Sequence, residues 1–265
     1  MKKIITLAVA LATLAVPAAT AQKINDAAFK AKLEKSNLDI ENPKKSGKSA
    51  TWYNRGKICV DAIVAPTKNI FSGLDANMLA MSLGTPATAV NGDIHEYEWV
   101  NIHTKEGKVS AWVIKKEVIP GAFQLAVEAF SKAYELDAAQ APKIKTTLES
   151  LINFYSELGS TSIDIAEYKN AIDAYLKAVE LQQNPAIGKA DPRYYFFAGQ
   201  LAAFLGAQEA QYFADGETYL KKALELDYKD EQGNLYYFLF HCYYGQRAKD
   251  KEYIIKAKNA LLDGI

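Results

Sequence analysis

The charges of this 265-residue chain balance, because Lys and Arg together number 31 and Asp and Glu also number 31. This balance excludes the basic footprint that a nucleic-acid-binding protein needs, and the 49% hydrophobic share excludes an intrinsically disordered protein. We therefore expect a folded protein with a continuous core and no nucleic acid as a partner.

Residues 1–21 have the pattern of a secretory signal peptide. Two lysines follow the first methionine, an apolar run covers residues 4–16, and residues 19–21 read Ala-Thr-Ala, an A-x-A cleavage pattern. The apolar run is too short to cross a membrane as a helix, and Gln22 is not the cysteine that would carry a lipid anchor. We expect cleavage after Ala21 and a periplasmic or secreted protein with no membrane span; an N-terminal anchor that is kept is the alternative.

The mature chain starts with two predicted helices joined by a solvated linker. Apolar residues recur at helical spacing from residue 23 to about residue 36, and a second helix opens near Trp52 and ends before Pro66. The segment between them, residues 41–49, is rich in lysine and serine and contains a proline and a glycine. We expect the first helix to cap one end of the helical stack.

An insertion at about residues 66–120 has a different character. Residues 74–83 fit a short amphipathic helix, and residues 84–93 fit a loop rich in glycine, proline and asparagine. Apolar residues then flank the turn at residues 105–108, which predicts a β-hairpin at about residues 95–116. An isolated hairpin is marginally stable, so we expect this one to pack on the helices.

One phrase, Lys-Ala-x-Glu-Leu, occurs at residues 132–136, 177–181 and 222–226. In each copy a bulky residue lies three positions before the alanine and a small residue four positions before that, which is one face of a helix. The three sets are Ala126, Phe130 and Ala133; Ala171, Tyr175 and Ala178; and Gly216, Leu220 and Ala223. A fainter fourth copy includes Ala257. Helical repeats of this kind bury their apolar faces against neighbours and stack into a solenoid.

These residues carry a family resemblance. Tetratricopeptide repeats (TPR) place Trp and Gly four apart on the first helix of each repeat, as Trp52 and Gly56 are, and small-x3-bulky-x2-Ala on the second helix. The chain thus resembles the TPR family over most of its mature length, residues 22–265, and is similar to exported TPR proteins of the Bacteroides group. The resemblance implies an all-α fold, a right-handed TPR-like α-solenoid of helix pairs, here with the small β-hairpin insertion. The 45-residue spacing of the repeats predicts lengthened turns inside them, such as residues 159–165. It also fits HEAT-like or armadillo-like repeats, which remain an alternative.

The resemblance also implies a function, the binding of a protein or peptide in a concave groove. In TPR proteins the residue after the Trp position and the fifth residue after it face the groove. Taking Leu148, Tyr195 and Tyr236 as the later equivalents of Trp52 predicts these partner-binding residues: Tyr53 and Lys57, Glu149 and Asn153, Phe196 and Gln200, Tyr237 and His241. The predicted hot spots are Tyr53, Phe196 and Tyr237. Because the set is mixed in charge, we do not expect a clamp for a C-terminal carboxylate.

The sequence offers no support for an enzyme, a cofactor or a metal site. It lacks G-x-S-x-G, H-E-x-x-H, P-loop and G-x-G-x-x-G motifs. His95 and His103 are predicted on one strand without a third metal ligand. Cys59 and Cys242 lie in the first and last repeats, so we expect two buried residues too far apart to form a disulfide.

Two functions therefore remain in view. The first is an exported scaffold that holds a peptide or partner protein in its groove. The second is a structural subunit of a cell-envelope assembly that uses its aromatic end, residues 194–197, 236–240 and 243–244, and its hairpin as fixed interfaces. The last second-helix pattern stops at Asp263 without a polar cap, so we expect a partner or further repeats at this end.

Overall fold

The computed structural model describes residues 23–264, so the predicted signal peptide lies outside the described residues. Over that range the chain forms ten α-helices and one four-stranded antiparallel sheet. The helices are α1 (Asp26–Glu41), α2 (Ser49–Val64), α3 (Leu79–Leu83), α4 (Ala122–Leu136), α5 (Ala141–Asp164), α6 (Tyr168–Gln182), α7 (Arg193–Gly206), α8 (Tyr212–Glu225), α9 (Asn234–Gly245) and α10 (Glu252–Asp263). The strands are β1 (Ala89–Asn91), β2 (Ile94–Glu96), β3 (Val100–Lys105) and β4 (Lys108–Ile114). The fold is thus helix-rich, with a small β insertion.

The helices from α2 onward pack mainly in pairs. Helix α2 packs on α4, α5 on α6, α7 on α8, and α9 on α10. The pairs join through the contacts of α2 and α4 with α5, of α6 with α7 and of α8 with α9. The repeated phrase lies on the second helix of the first three pairs. In each copy its alanine, Ala133, Ala178 or Ala223, is fully buried. The repeat in the sequence therefore corresponds to a repeated packing of two helices.

Glycines on the first helices allow these pairs to approach closely. A Cβ atom on each of three glycines would lie far inside contact distance of the bulky repeat residue opposite. The pairs are Gly56 with Phe130 at 2.7 Å, Gly159 with Tyr175 at 2.8 Å, and Gly199 with Leu220 at 2.6 Å. The bulky side chain fills the space that the glycine leaves, which is how a close-packed interior is completed. The fourth pair departs from this rule, because Ile254, at the bulky position, is 52% exposed.

Helix α5 corrects one prediction. Residues 159–165 were expected to form a lengthened turn, but α5 runs without a break to Asp164, and the turn to α6 is made by residues 165–167. Gly159 therefore lies inside a helix, and the aromatic residue four positions before it is Tyr155. Since Gly56 follows Trp52 by the same four positions, Tyr155 rather than Leu148 is the equivalent of Trp52. Glu149 and Asn153, which were counted from Leu148, therefore lie seven residues before the positions that correspond to Tyr53 and Lys57.

The insertion forms a meander in the order β1-β2-β3-β4. The predicted hairpin corresponds to β3 and β4, joined by Glu106 and Gly107, both with positive φ, but two further short strands precede it. His95 lies on β2 and His103 on β3, so the prediction that both lie on one strand was wrong. Val100, Ile102, Val109 and Trp112 form the centre of a separate small core, and β4 packs on α5.

Helix α1 packs on α2, as expected of a cap, and ends at Glu41, a few residues later than predicted. Arg55 of α2 is 7% exposed, and its guanidinium donates to Asn37 Oδ1 at 2.7 Å. This partly buried, charge-assisted bond ties the two helices together. None of the helices between residues 23 and 264 is both long and apolar enough to cross a membrane.

Candidate partner-binding surface

The eight predicted partner-binding residues occupy different environments. Tyr53 and Phe196 are each 6% exposed, so neither ring is free to contact a partner. Of the others, Tyr237 is 51% exposed, and the remaining five lie at the surface as exposed or half-buried residues: Lys57, Glu149, Asn153, Gln200 and His241. The structure therefore contradicts the assignment of Tyr53 and Phe196 as exposed hot spots.

Tyr53 is buried because two helices cover it. Its hydroxyl shares a hydrogen bond of 2.9 Å with Thr147 Oγ1 of α5, and the ammonium of Lys143 lies 4.0 Å from its ring centroid. On the other side the ring meets Phe130 of α4 edge to face, with centroids 5.7 Å apart. Tyr53 thus joins α2 to α4 and α5.

Phe196 is covered by a residue from a loop. Tyr228, in the connection between α8 and α9, stacks on its ring with centroids 4.4 Å apart, and Phe238 of α9 meets it at 6.2 Å. Helical register places Phe196 on the predicted face, but register contains no information about the loop that returns over it. Phe196 is therefore a core residue of the last helix pairs.

The predicted charged residues do not gather around a shared site. Lys57 pairs with Asp61 at 3.2 Å, and Glu149 lies 3.7 Å from Lys145, each one turn away on its own helix. Exposed pairs of this kind contribute little to stability. Lys57 and Glu149 therefore lie on solvent-exposed faces of their helices.

A set of exposed and half-buried aromatic rings lies instead on α7 and α9, which contact each other directly. We call it the α7–α9 aromatic surface; it consists of Phe204, Tyr237, Phe240, His241 and Tyr244. Phe204 is 56% exposed, Tyr237 is 51% exposed and Tyr244 is 48% exposed. Positions 237, 241 and 244 are separated by four and three residues, so these side chains share one face of α9.

Ring contacts hold this surface together. Phe204 of α7 and Tyr237 of α9 both meet the buried ring of Phe238 edge to face, at 5.5 Å and 5.3 Å between centroids. Tyr237 then meets His241 at 4.5 Å. Farther along α9, Phe240 stacks on Tyr244 at 5.7 Å. The rings are thereby held in defined positions, and such preorganisation lowers the entropic cost of binding.

The charge of this surface differs between its centre and one end. Burial lowers the pKa of His241 below its ordinary value, so the neutral imidazole predominates at pH 7. The guanidinium of Arg247 lies 4.2 Å from the centroid of the Tyr244 ring, and its Nη1 donates to the Tyr244 carbonyl at 2.8 Å. One end of the surface therefore carries a positive charge.

The start of α9 is set by Asp230. Its carboxylate accepts hydrogen bonds from the backbone N–H groups of Asn234 at 2.7 Å and Leu235 at 3.1 Å, which would otherwise have no helical partner. The same carboxylate places a negative charge at the N-terminal end of the helix, where the helix dipole favours it. The aromatic face of α9 is thus oriented from its first turn.

Sequence reasoning missed Phe204, and it named Tyr244 as part of the aromatic end without predicting it as a partner-binding residue. The signal for Tyr244 was present, because it lies seven residues after Tyr237 and therefore on the same helical face. Phe204 follows three small or aliphatic residues, Leu201-Ala202-Ala203, and only the contact of α7 with α9 shows that its ring joins the others.

In the part of the chain that the structure describes, no three His, Cys, Asp or Glu side chains are grouped so that they could hold a metal ion. Cys59 and Cys242 are free and fully buried, as predicted for small apolar residues.

No protein-family model matches the sequence, and no curated protein matches it either.

Proposed function

We propose that this protein is a TPR-like scaffold that binds a peptide or a partner protein and is not an enzyme. The repeated packing of a glycine against a bulky residue in three helix pairs supports the family resemblance. Proteins built from such pairs in a solenoid present extended surfaces and bind other proteins. The HEAT-like alternative would retain the same class of function.

The observation that carries this proposal is the α7–α9 aromatic surface. Two rings more than half exposed, Phe204 and Tyr237, lie on adjacent helices over one buried ring. Exposed apolar patches of this kind mark interaction sites, and aromatic residues are enriched in interface hot spots. Tyr237 is thus the predicted hot spot that the geometry still supports.

The chemistry of the surface favours a partner segment with apolar anchors. A neutral His241 and several rings suit aliphatic or aromatic side chains, while Arg247 suits an acidic group at one end. A clamp for a free carboxylate would need several cations converging among the rings, whereas Arg247 lies at one end of the surface. An amphipathic helix or an extended peptide fits this pattern.

The test is affinity capture from envelope extract with four versions of the chain. Wild type and Phe71→Ala serve as the matched pair, because Phe71 is 55% exposed but lies in the β insertion. We expect wild type and Phe71→Ala to capture a protein that Tyr237→Ala and Phe204→Ala do not capture. Once the partner is identified, Tyr237→Ala should raise its dissociation constant by roughly 5- to 30-fold. This change corresponds to the loss of about 1–2 kcal/mol at an interface aromatic residue. Equal capture by all four chains would contradict the proposal.

The alternative, a structural subunit of a cell-envelope assembly, is favoured by a different surface. Four aliphatic residues of α10 are 43–60% exposed: Ile254, Ile255, Leu261 and Leu262. A fixed interface would cover them. Sedimentation analysis of wild type against Ile255→Ser tests this role, because a stable assembly should dissociate in the variant while a peptide-binding scaffold should not change.

Export is the second part of the proposal. Cleavage after Ala21 would make Gln22 the first residue of the mature chain. N-terminal sequencing of the protein recovered from the periplasm or the medium should read Gln22-Lys23-Ile24. A retained Met1 would contradict it.

A further inference from the structure

A wide groove lies between α1, the C-terminal half of α2 and the β insertion, away from the α7–α9 aromatic surface. Its lining comes from residues 23–32, 57–69, 81–88 and 97–100, and its volume is about 1100 Å³. Sites for drug-sized ligands have volumes of about 300–1,000 Å³. The groove is therefore large enough for a molecule with several rings or a long hydrocarbon chain.

Apolar side chains form much of this lining. They include Ile24, Phe29 and Trp99, which are half-buried, and Met81, which is 48% exposed. Covering such a surface removes it from water, and this favours the binding of an apolar group. A purely hydrophilic ligand would leave these side chains in contact with water.

The two acidic side chains of the groove are already paired with lysines. Asp61 lies 3.2 Å from the ammonium of Lys57, and Glu98 lies 3.0 Å from that of Lys116. Each pair is neutral as a whole, so neither acid balances the charge of another lysine in the groove.

Three further lysines line the groove, and they give it an excess of positive charge. Lys23, Lys32 and Lys68 are exposed, and none of them makes an ion pair within residues 23–264. Residues 1–22 contain no Asp or Glu that could pair with them. The ammonium of Lys32 lies 5.7 Å from the centroid of the Phe29 ring, so a positive charge stands directly beside the apolar lining. A concave site lined by one sign of charge attracts ligands of the opposite sign.

We propose that this groove binds an anionic amphiphile, a small molecule with an apolar body and a carboxylate, phosphate or sulfate group. The apolar body covers the side chains around Phe29 and Met81, and the anionic group pairs with the lysines, above all Lys32 and Lys68. An acidic peptide is the rival occupant, but more apolar than charged residues line the groove, which favours the amphiphile. The inference is independent of the proposed function, since the groove shares no residue with the α7–α9 aromatic surface.

The test titrates two fluorescent dyes against the full chain, 8-anilinonaphthalene-1-sulfonate and N-phenyl-1-naphthylamine. The dyes have the same rings, and only the first carries an anionic group. We expect both to bind wild type saturably. In Lys32→Gln/Lys68→Gln the dissociation constant of the sulfonate dye should rise about 3- to 10-fold through loss of two exposed ion pairs, while that of the neutral dye should not change.

Lys35→Gln/Lys44→Gln is the matched control for charge, because both lysines are exposed, lie in or next to α1 and do not line the groove. It should bind both dyes as wild type does. Dye bound at the exposed rings of α7–α9 responds equally to the two double variants, so the difference between them reports the groove alone.

Met81→Ser tests the apolar half of the proposal and should raise the dissociation constants of both dyes. Met78→Ser is its control, since Met78 is 40% exposed in the same segment but does not line the groove. Circular dichroism checks the folding of each variant. If Met81→Ser does not fold, the lysine variants decide, because they change only exposed side chains.

Competition separates an amphiphile from an acidic peptide. Dodecanoate should displace the sulfonate dye from wild type, and hexaglutamate should not. The proposal is overturned if wild type shows no saturable binding of the sulfonate dye, or if the folded Lys32→Gln/Lys68→Gln chain binds it as tightly as the Lys35→Gln/Lys44→Gln chain. Displacement by hexaglutamate but not by dodecanoate would also overturn it, in favour of an acidic partner segment.

Discussion

The ring of Tyr175 on α6 occupies the place where a side chain on Gly159 of α5 would begin, since a Cβ atom there would lie 2.8 Å from the ring. In an exposed helix interior, replacing glycine by alanine stabilises by about 1 kcal/mol. At Gly159 we expect the same replacement to destabilise the protein. Gly159→Ala should lower the free energy of unfolding by about 1–3 kcal/mol, the cost of overpacking, as measured by urea denaturation.

Gly47 is the control for that change, because no heavy atom of the described residues lies within 4 Å of the Cβ it would carry. Gly47→Ala should therefore shift the free energy of unfolding by no more than about 0.5 kcal/mol. A Gly159→Ala protein as stable as wild type would show that α5 and α6 are not in this close contact.

Ala178 tests the second half of the repeat rule. It is fully buried on α6, so Ala178→Leu adds volume to a filled space and should cost about 1–3 kcal/mol in urea denaturation. Ala31→Leu makes the same change at an exposed position of α1 and should be nearly neutral. If the two variants are equally stable, Ala178 does not lie on the buried face of α6.

Tyr237 and Phe196 were predicted as equivalent hot spots, and the structure separates them. Phe196→Ala removes a buried ring stacked on Tyr228 and should cost about 3–5 kcal/mol of stability. Tyr237→Ala removes a half-exposed ring and should cost about 1 kcal/mol or less. Thermal unfolding of the two variants measures the difference, and a reversed order would place Tyr237 in the core.

Two histidines predict how stability changes with pH. Burial lowers the pKa of His103 and of His241; for His103 the nearby Glu167 partly opposes this. The unfolded chain therefore takes up protons near pH 6.5 while the folded chain resists them. Stability should be constant above that pH and fall as the pH drops below it. The melting temperature should be lower at pH 5.5 than at pH 7.5, and replacing both histidines by glutamine should reduce that drop. If the melting temperature of the variant falls by the same amount, groups other than the two histidines cause the decrease.

The two thiols should be inert in the folded protein. Burial raises the pKa of Cys59 to about 11 and that of Cys242 to about 12, and only the thiolate reacts readily. With a thiol reagent such as dithionitrobenzoate at pH 8, we expect no fast reaction until guanidinium is added, and then two thiols per chain. A rapid reaction of one thiol without denaturant would show that its helix opens locally.

The sequence was sufficient for what depends on helical periodicity. The spacing of Phe130 and Ala133, and of their repeats, predicted buried faces that the structure contains, and Trp52 and Gly56 marked the first helix of a pair. The same rule, applied to Tyr155 and Gly159, would have given the correct register of α5. Glycine was read there as a turn former because its close helical neighbour, Tyr175, is distant in the sequence.

The candidate surface was harder to predict, because it depends on what covers each ring. Phe196 and Tyr237 occupy equivalent positions in the repeat, yet Tyr228 covers one and leaves the other exposed. That difference arises from the path of a loop, which no periodicity encodes. The junction of the sheet with α5 was likewise invisible, since it joins segments far apart in the chain.

The β insertion has a consequence for the order of folding. Helices α5 and α6 are joined by residues 165–167, whereas α2 and α4 are separated by residues 65–121, although they pack just as intimately. Closing the longer connection costs more chain entropy, by about 2–3 kcal/mol for a flexible loop. A pre-formed meander shortens the effective connection and removes much of that cost. We therefore expect the pairs α5–α6 and α7–α8 to form first and the α2–α4 pair to wait for the sheet, so the first pair of the stack should be the slowest to assemble.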